Sequence, residues 1–180
     1  NRLELWEAMI ELKKQGKVKH IGVSNYNVHH MKEIEAAEIE MPSANQIEIH
    51  PWHVVTKPLA EYMDKNEILP IAYSTLAPIP NWREGSRWNG KPEDMKSGAI
   101  PCEDIANKYR VTVPQLFLKW AIQLGYPVLP KSVKYDRLKE NLSLDHFEIS
   151  IDDMTLISNI AIDEQKCLAW SGDFDPLEVD

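Results

Sequence analysis

Ala44-Asn45-Gln46-Ile47-Glu48-Ile49 is a strand by its alternation, with Asn45, Ile47 and Ile49 on one face and Ala44, Gln46 and Glu48 on the other. Polar side chains near the C-terminal end of a strand suit the mouth of a (β/α) barrel, where that fold places its chemistry. Upstream, Val18 to Val23 reads as another strand, Ser24 to Asn27 as a loop, and Val28 to Glu38 as a helix capped by Asn27. Downstream, Thr56 and Pro58 open a helix from Lys57 to Asn66, and Ile68 to Tyr73 is a third strand. The chain begins with an amphipathic helix carrying Leu5, Met9 and Leu12 at helical spacing, flanked by Trp6 and Ile10 and stopped at Gly16.

Beyond Tyr73, residues 74–98 are rich in Pro, Gly and Trp and too long for a plain connector, which points to a functional loop. Pro101 opens one helix. Thr112 with Pro114 opens a second that carries Leu116, Phe117, Trp120 and Ala121 inward. Pro127-Val128-Leu129-Pro130 is a brief fourth strand, followed by a helix over Tyr135 to Asn141. Ser150 with Asp153 resembles a capping box opening a last helix that sets Met154, Ile157 and Ala161 on one face. Residues 163–180 hold six acids and one lysine, an acidic tail expected to be partly mobile.

The 180 residues are 43% hydrophobic and 27% charged, which fits a single soluble core rather than a disordered chain. A net charge of −8 removes the attraction on which nonspecific nucleic-acid binding depends, and no basic run suits an anionic membrane surface. No apolar run approaches the roughly 18 residues of a membrane span and no secretion signal opens the sequence, so a cytoplasmic location is expected. Cys102 and Cys167 match no C-x-x-C spacing and read as reduced thiols.

Strands alternating with helices call for a parallel sheet. None of the seven glycines forms G-x-G-x-x-G, which weakens a Rossmann-type reading. Four strand-helix units supply half of an eight-stranded barrel, and half a barrel leaves unpaired strand edges. The chain opens at Asn1 rather than at a methionine, and a fragment is expected, with the other half supplied from elsewhere.

The strand ends read Gly22-Val23-Ser24-Asn25-Tyr26, Asn45-Gln46-Ile47-Glu48-Ile49-His50-Pro51, Ala72-Tyr73-Ser74-Thr75-Leu76 and Leu129-Pro130-Lys131-Ser132-Val133, followed by Arg137, Glu140 and Asn141. In this order and spacing the series resembles the aldo-keto reductase family over nearly the whole chain, from the fourth helix of its barrel to the C-terminal tail. The resemblance implies an α/β fold, a (β/α)8 TIM-type barrel of which residues 1–180 form the C-terminal half. It also implies NADPH/NADP+ as cofactor and reduction of small-molecule aldehydes or ketones.

By the same resemblance Ser24, Asn25 and Gln46 hydrogen-bond the nicotinamide carboxamide and Tyr73 stacks on its ring. Ser74 and Leu76 contact the pyrophosphate. Lys131, Ser132 and Arg137 hold the adenosine 2′-phosphate, with Val133 in the same run among the cofactor contacts, and Glu140 and Asn141 meet the adenine. The chemistry of these groups agrees: neighbouring amides fix both atoms of a carboxamide, and a Lys, a Ser and an Arg around a helix start make an anion site. The family's catalytic Asp, Tyr, Lys and His come from the front half of the barrel, upstream of Asn1, so this chain alone is expected to be inactive. Thr75 and Ala77 replace the family's usual proline and glycine. Trp82, Trp88 and Trp170 are substrate-pocket candidates by loop position.

Simpler readings stand beside these. His50 and His53 could suggest a metal site but lack a third ligand. Glu48 could suggest a glycosidase acid, but the other strand ends offer no second carboxylate, which favours a buried, hydrogen-bonded acid. Cys102 reads as structural. The alternative to an oxidoreductase is a non-catalytic dinucleotide-binding module or truncated relative without the tetrad.

Overall fold

The computed structural model describes residues 2–77, 79, 102–160, 167–168 and 176–177. The described residues fall into two compact units, one of 2–47, 55–71 and 176–177, the other of 48–54, 72–77, 79, 102–160 and 167–168.

The first unit opens with helix α1 (Arg2–Lys14). Its buried residues are Trp6 and Ile10, while Leu5, Met9 and Leu12 are exposed. The expected Leu5-Met9-Leu12 stripe is therefore not the buried face; the adjacent row is, because Trp6 and Ile10 pack with Ile21 and Ile34. The indole Nε1–H of Trp6 donates to the Glu40 carbonyl at 2.7 Å, so the ring is fixed by a polar contact as well as by packing. Gly16 follows at φ 71°, a left-handed stop that glycine adopts without strain.

Strand β1 (Gly22–Ser24) is shorter and later than the Val18–Val23 expected. Pairing begins at Gly22 because the chain there comes very close to the next strand, β2 (Ala44–Glu48), in parallel register Gly22↔Ala44, Val23↔Asn45, Ser24↔Gln46. A Cβ at Gly22 would lie 2.8 Å from the Ala44 carbonyl oxygen. Gly22→Ala is accordingly expected to lower stability by about 1–3 kcal/mol, since backbone rather than a flexible side chain must yield. Urea unfolding measures this, and a loss within ~0.5 kcal/mol would show that the strands separate freely.

Helix α2 (Val28–Ala36) starts at Asn27, whose Oδ1 accepts the His30 N–H at 2.9 Å while His30 Nδ1 accepts the Asn27 N–H at 3.3 Å. This is a reciprocal cap with histidine in the usual Glu/Gln position. Arg2 bonds both carboxylate oxygens of Glu33, tying α1 to α2 and holding the Glu33 carboxyl below its usual pKa. Helix α3 (Lys57–Lys65) packs on α2 and begins after Thr56, but the Thr56 side chain makes no cap hydrogen bond. Strand β3 (Leu69–Tyr73) completes the order β1-β2-β3. Leu69 N–H donates to Ser43 O and Ile49 N–H to Tyr73 O, partners that advance together as parallel strands require.

In the second unit the expected fourth strand, residues 127–130, is reduced to an isolated parallel bridge of Val128 with Ala72, held by Ala72 N–H to Pro127 O at 2.8 Å and Leu129 N–H to Ala72 O at 3.2 Å, and the sheet has three strands among the described residues. Helix α4 (residues 102–109) precedes α5 (Val113–Gln123). Thr112 and Gln115 form the cap of α5, and Leu116, Phe117, Trp120 and Ala121 are all buried, as their spacing predicts. Helix α6 (Tyr135–Leu142) packs on α5.

Helix α7 (Ile151–Ser158) is capped by Ser150, whose Oγ accepts the Asp153 N–H, but the box is not reciprocal. The Asp153 carboxylate accepts from the Ser150 hydroxyl at 3.0 Å, from Lys108 Nζ at 2.6 Å and from Tyr109, while the Ser150 backbone N–H donates to the Tyr109 hydroxyl at 2.9 Å. Hydrogen bonds from Lys108 first, then Tyr109, hold the Asp153 carboxyl below its usual pKa. The folded value being the lower one, this stability is complete above an unfolded pKa of about 3.9 and is lost as pH falls through the folded value. Asp153→Asn is expected to lower stability near pH 7 by about 1–2 kcal/mol and to flatten the acid limb of a Tm-against-pH curve. An unchanged acid limb would show that Asp153 is not among the groups that set it.

Met154 is half-buried and Ile157 buried as expected, while Ala161 lies outside the described residues, as do Trp82, Trp88, Trp170 and most of 74–98 and 163–180. Among the described residues no helix is long and apolar enough to cross a membrane.

Candidate functional site

In the first unit the end of β1 is bound to β2 through a single carbonyl. The Ser24 hydroxyl donates to Gln46 O at 2.9 Å and the Asn25 N–H donates to the same oxygen at 3.0 Å. Asn25 then takes φ 58°, the left-handed region that asparagine tolerates better than most residues. The structure thus brings Ser24, Asn25 and Gln46 together. Ser24 spends its hydrogen on Gln46 O and keeps its oxygen as an acceptor. Gln46 is half-buried, and its carboxamide forms no hydrogen bond with another described residue. A donor-acceptor amide presented in this way suits a ligand carboxamide.

Asn45, beside this loop, is a residue that the sequence reading did not single out. It is fully buried, and its carboxamide meets the backbone of Tyr26 on both sides. The available signal was a polar residue alternating with Ile47 and Ile49 on the inward face of the strand.

In the second unit Tyr73 is half-buried at the end of β3, and Ser74 turns the chain at φ 55°. Ala77 N–H closes that turn on Ser74 O at 2.8 Å. Leu76 is buried, so any contact it makes with a pyrophosphate falls to its backbone. Thr75 is also buried, and its hydroxyl has no hydrogen-bond partner among the described residues.

The start of α6 carries the basic group. Lys131 and Arg137 are exposed, and among the described residues neither has a carboxylate partner. Ser132 Oγ accepts the Lys134 N–H at 3.1 Å, shaping the turn into the helix. Val133 is 82% exposed, an apolar side chain with nothing over it. First-turn N–H groups beside two cations are a combination that suits an anion. Further along α6 the Glu140 carboxylate accepts from the Thr112 hydroxyl, and Asn141 is 8% exposed.

Glu48 is the buried, hydrogen-bonded acid that the sequence favours. Its Oε1 accepts from His50 Nε2 at 2.8 Å and from Leu168 N–H at 2.6 Å, and its Oε2 from the Cys167 thiol at 2.9 Å. The two histidines are occupied as well. His50 Nδ1 accepts the Trp52 N–H, and His53 Nδ1 bonds the Glu48 carbonyl oxygen. Burial pushes the His50 pKa below its usual value, so the ring is neutral and donates through Nε2. Burial also raises the Cys102 thiol to a pKa of about 12, leaving it unreactive.

The sequence matches the aldo/keto reductase family over residues 1–162, and the chain belongs to that family. It is 34% identical to aldose reductase C of Dictyostelium discoideum, over 91% of this chain and 47% of that protein. It is 33% identical to the glycerol 2-dehydrogenase (NADP(+)) of Saccharomyces cerevisiae, over 99% of this chain and 53% of that protein. The aldo-keto reductase of Bombyx mori, solved in complex with NADP, superposes with a TM-score of 0.71 at 27% identity, over 88% of this chain and 50% of that one. The chain spans about half the length of the relatives it matches.

Proposed function

We propose that this chain is the cofactor-binding half of an NADPH-dependent oxidoreductase that reduces aldehydes or ketones to alcohols. It supplies the last four strand-helix units of a (β/α)8 barrel. The family match over residues 1–162 carries the reading. The NADP named for the yeast and Bombyx mori relatives agrees with it, as do a carboxamide partner at Gln46 and a basic helix start at Lys131 and Arg137.

The bound nicotinamide supplies the hydride. The work of this chain is binding and orientation: Ser24, Asn25 and Gln46 hold the carboxamide and so select the ring face presented, and Tyr73 sets the ring plane by stacking. Lys131, Ser132 and Arg137 take the 2′-phosphate. The groups that protonate the product oxygen belong to a segment other than these 180 residues, and the small-molecule carbonyl and that front half are the chain's partners.

Titration of the chain with NADPH and with NADH, followed by ligand fluorescence, tests the binding assignment; tighter NADPH is expected, and a preference for NADH overturns it. Aldehyde-dependent oxidation of NADPH is expected to be absent with the 180 residues alone and to appear once the front half of the barrel is supplied. Turnover by the chain alone at the rate of an intact enzyme would refute the division of labour.

A further inference from the structure

We infer that Asn45 is a positioning residue for the nicotinamide end of the cofactor, acting through Asn25; the inference rests on the reading above. Asn45 is 0% exposed, and its amide meets one residue of the loop twice. Oδ1 accepts the Tyr26 N–H at 3.2 Å, and Nδ2 donates to Tyr26 O at 2.8 Å, with Met63 Sδ 3.8 Å from the same nitrogen.

The two contacts imitate a rung of sheet pairing, made by a side chain to a backbone that has left the sheet. Their consequence lies one residue upstream. Tyr26 N–H belongs to the peptide that joins Asn25 to Tyr26, so the Oδ1 contact fixes that peptide plane and with it ψ of Asn25. On the other side the Asn25 N–H is held on Gln46 O, beside the Ser24 hydroxyl. Asn25 is thus clamped before and after by neighbouring residues of β2, at φ 58°. A non-glycine residue in the left-handed region persists where its surroundings over-determine it, and Asn45 supplies the downstream half of that constraint. The direction of the Asn25 side chain, and therefore its reach to a carboxamide, follows from it.

The amide is needed as a whole. An aspartate at 45 keeps the shape and the acceptor for Tyr26 N–H but turns an oxygen lone pair toward Tyr26 O, where a hydrogen stood.

The test compares NADPH with 2′,5′-ADP, which carries the adenosine 2′-phosphate and lacks nicotinamide, by titration of the 180-residue chain. Asn45→Asp is expected to weaken NADPH about tenfold and to leave 2′,5′-ADP unchanged within about twofold. In an Asn25→Gly background, Asn45→Asp is expected to weaken NADPH no further, because the residue through which it acts is gone. Asn45→Ser, whose single hydroxyl cannot span both Tyr26 groups, repeats the comparison should the aspartate prevent folding. Equal losses for both ligands, or losses that add fully in the Asn25→Gly background, overturn the inference. A wild-type chain that binds 2′,5′-ADP and gains nothing from the nicotinamide half removes the carboxamide reading, and the inference falls with it.

Discussion

Arg137→Ala is expected to remove most of the advantage of NADPH over NADH while leaving NADH affinity almost unchanged. The guanidinium stands exposed in the first turn of α6, and among the described residues no carboxylate neutralises it. A dianionic 2′-phosphate placed there meets Arg137, Lys131, the Ser132 hydroxyl and the N–H end of the helix. Charge-assisted hydrogen bonds contribute about 1.5–3 kcal/mol each when partly desolvated and less when exposed. Asp136 in the same turn opposes a phosphate. Two surviving cationic contacts then give on the order of 3 kcal/mol, roughly a hundredfold. NADH presents only a hydroxyl at that place and has little to lose. Lys131→Ala acts likewise, and added salt weakens NADPH more than NADH. Fluorescence titration of both cofactors against both proteins reads the effect directly, and equal losses for NADPH and NADH would move Arg137 from the phosphate to the fold.

Features whose causes are local were legible in the sequence. The caps at Asn27 and Thr112 need only residues three apart, and the inward row of α5 needs only helical spacing. Where two local patterns competed, distant partners decided. Helix α1 has two adjacent apolar rows, and the choice of Trp6 and Ile10 over Leu5, Met9 and Leu12 was made by Ile21 and Ile34. At Ser150 the spacing of a capping box was present, but the Tyr109 hydroxyl took the Ser150 backbone N–H and the Asp153 carboxylate was shared among Ser150, Lys108 and Tyr109.

The start of β1 depended on the approach of Gly22 to Ala44, which the apolar character of Val18 to Val23 could not report. The candidate site divides in the same way. Ser24, Asn25, Gln46 and Lys131 at strand ends, and Arg137 in the helix that follows, were singled out by the family resemblance of their runs. Asn45 makes sense only once Tyr26 is seen across from it, and the burial of Glu48 was legible while its partners Cys167 and Leu168, about 120 residues on, were not.

That long-range closure predicts a second large effect: Glu48→Ala is expected to lower stability by about 3 kcal/mol, a fall in Tm of roughly 6–12 °C for a chain of this size. The carboxylate accepts from His50 Nε2, the Leu168 N–H and the Cys167 thiol, and its removal strands a fully buried imidazole donor and empties the space between them. Glu48→Gln keeps one oxygen for His50 and Leu168 and is expected to cost about 1 kcal/mol.

The His50 pKa in the fold is depressed, so the unfolded chain takes up protons first. Stability is full above an unfolded pKa of about 6.5 and is lost as pH falls from there toward the folded value. Without Glu48, whose hydrogen bond holds the His50 pKa up, that sensitivity to acid persists rather than disappears. A thiol reagent supplies an independent readout. Cys102 is 1% exposed with its pKa near 12 and stays silent, so the signal belongs to Cys167. Its rate is expected to rise in Glu48→Ala, where residues 167–168 lose the acceptor that fastens them. A variant as stable as the parent, with Cys167 reacting at an unchanged rate, would show that the segment is held by something other than this carboxylate.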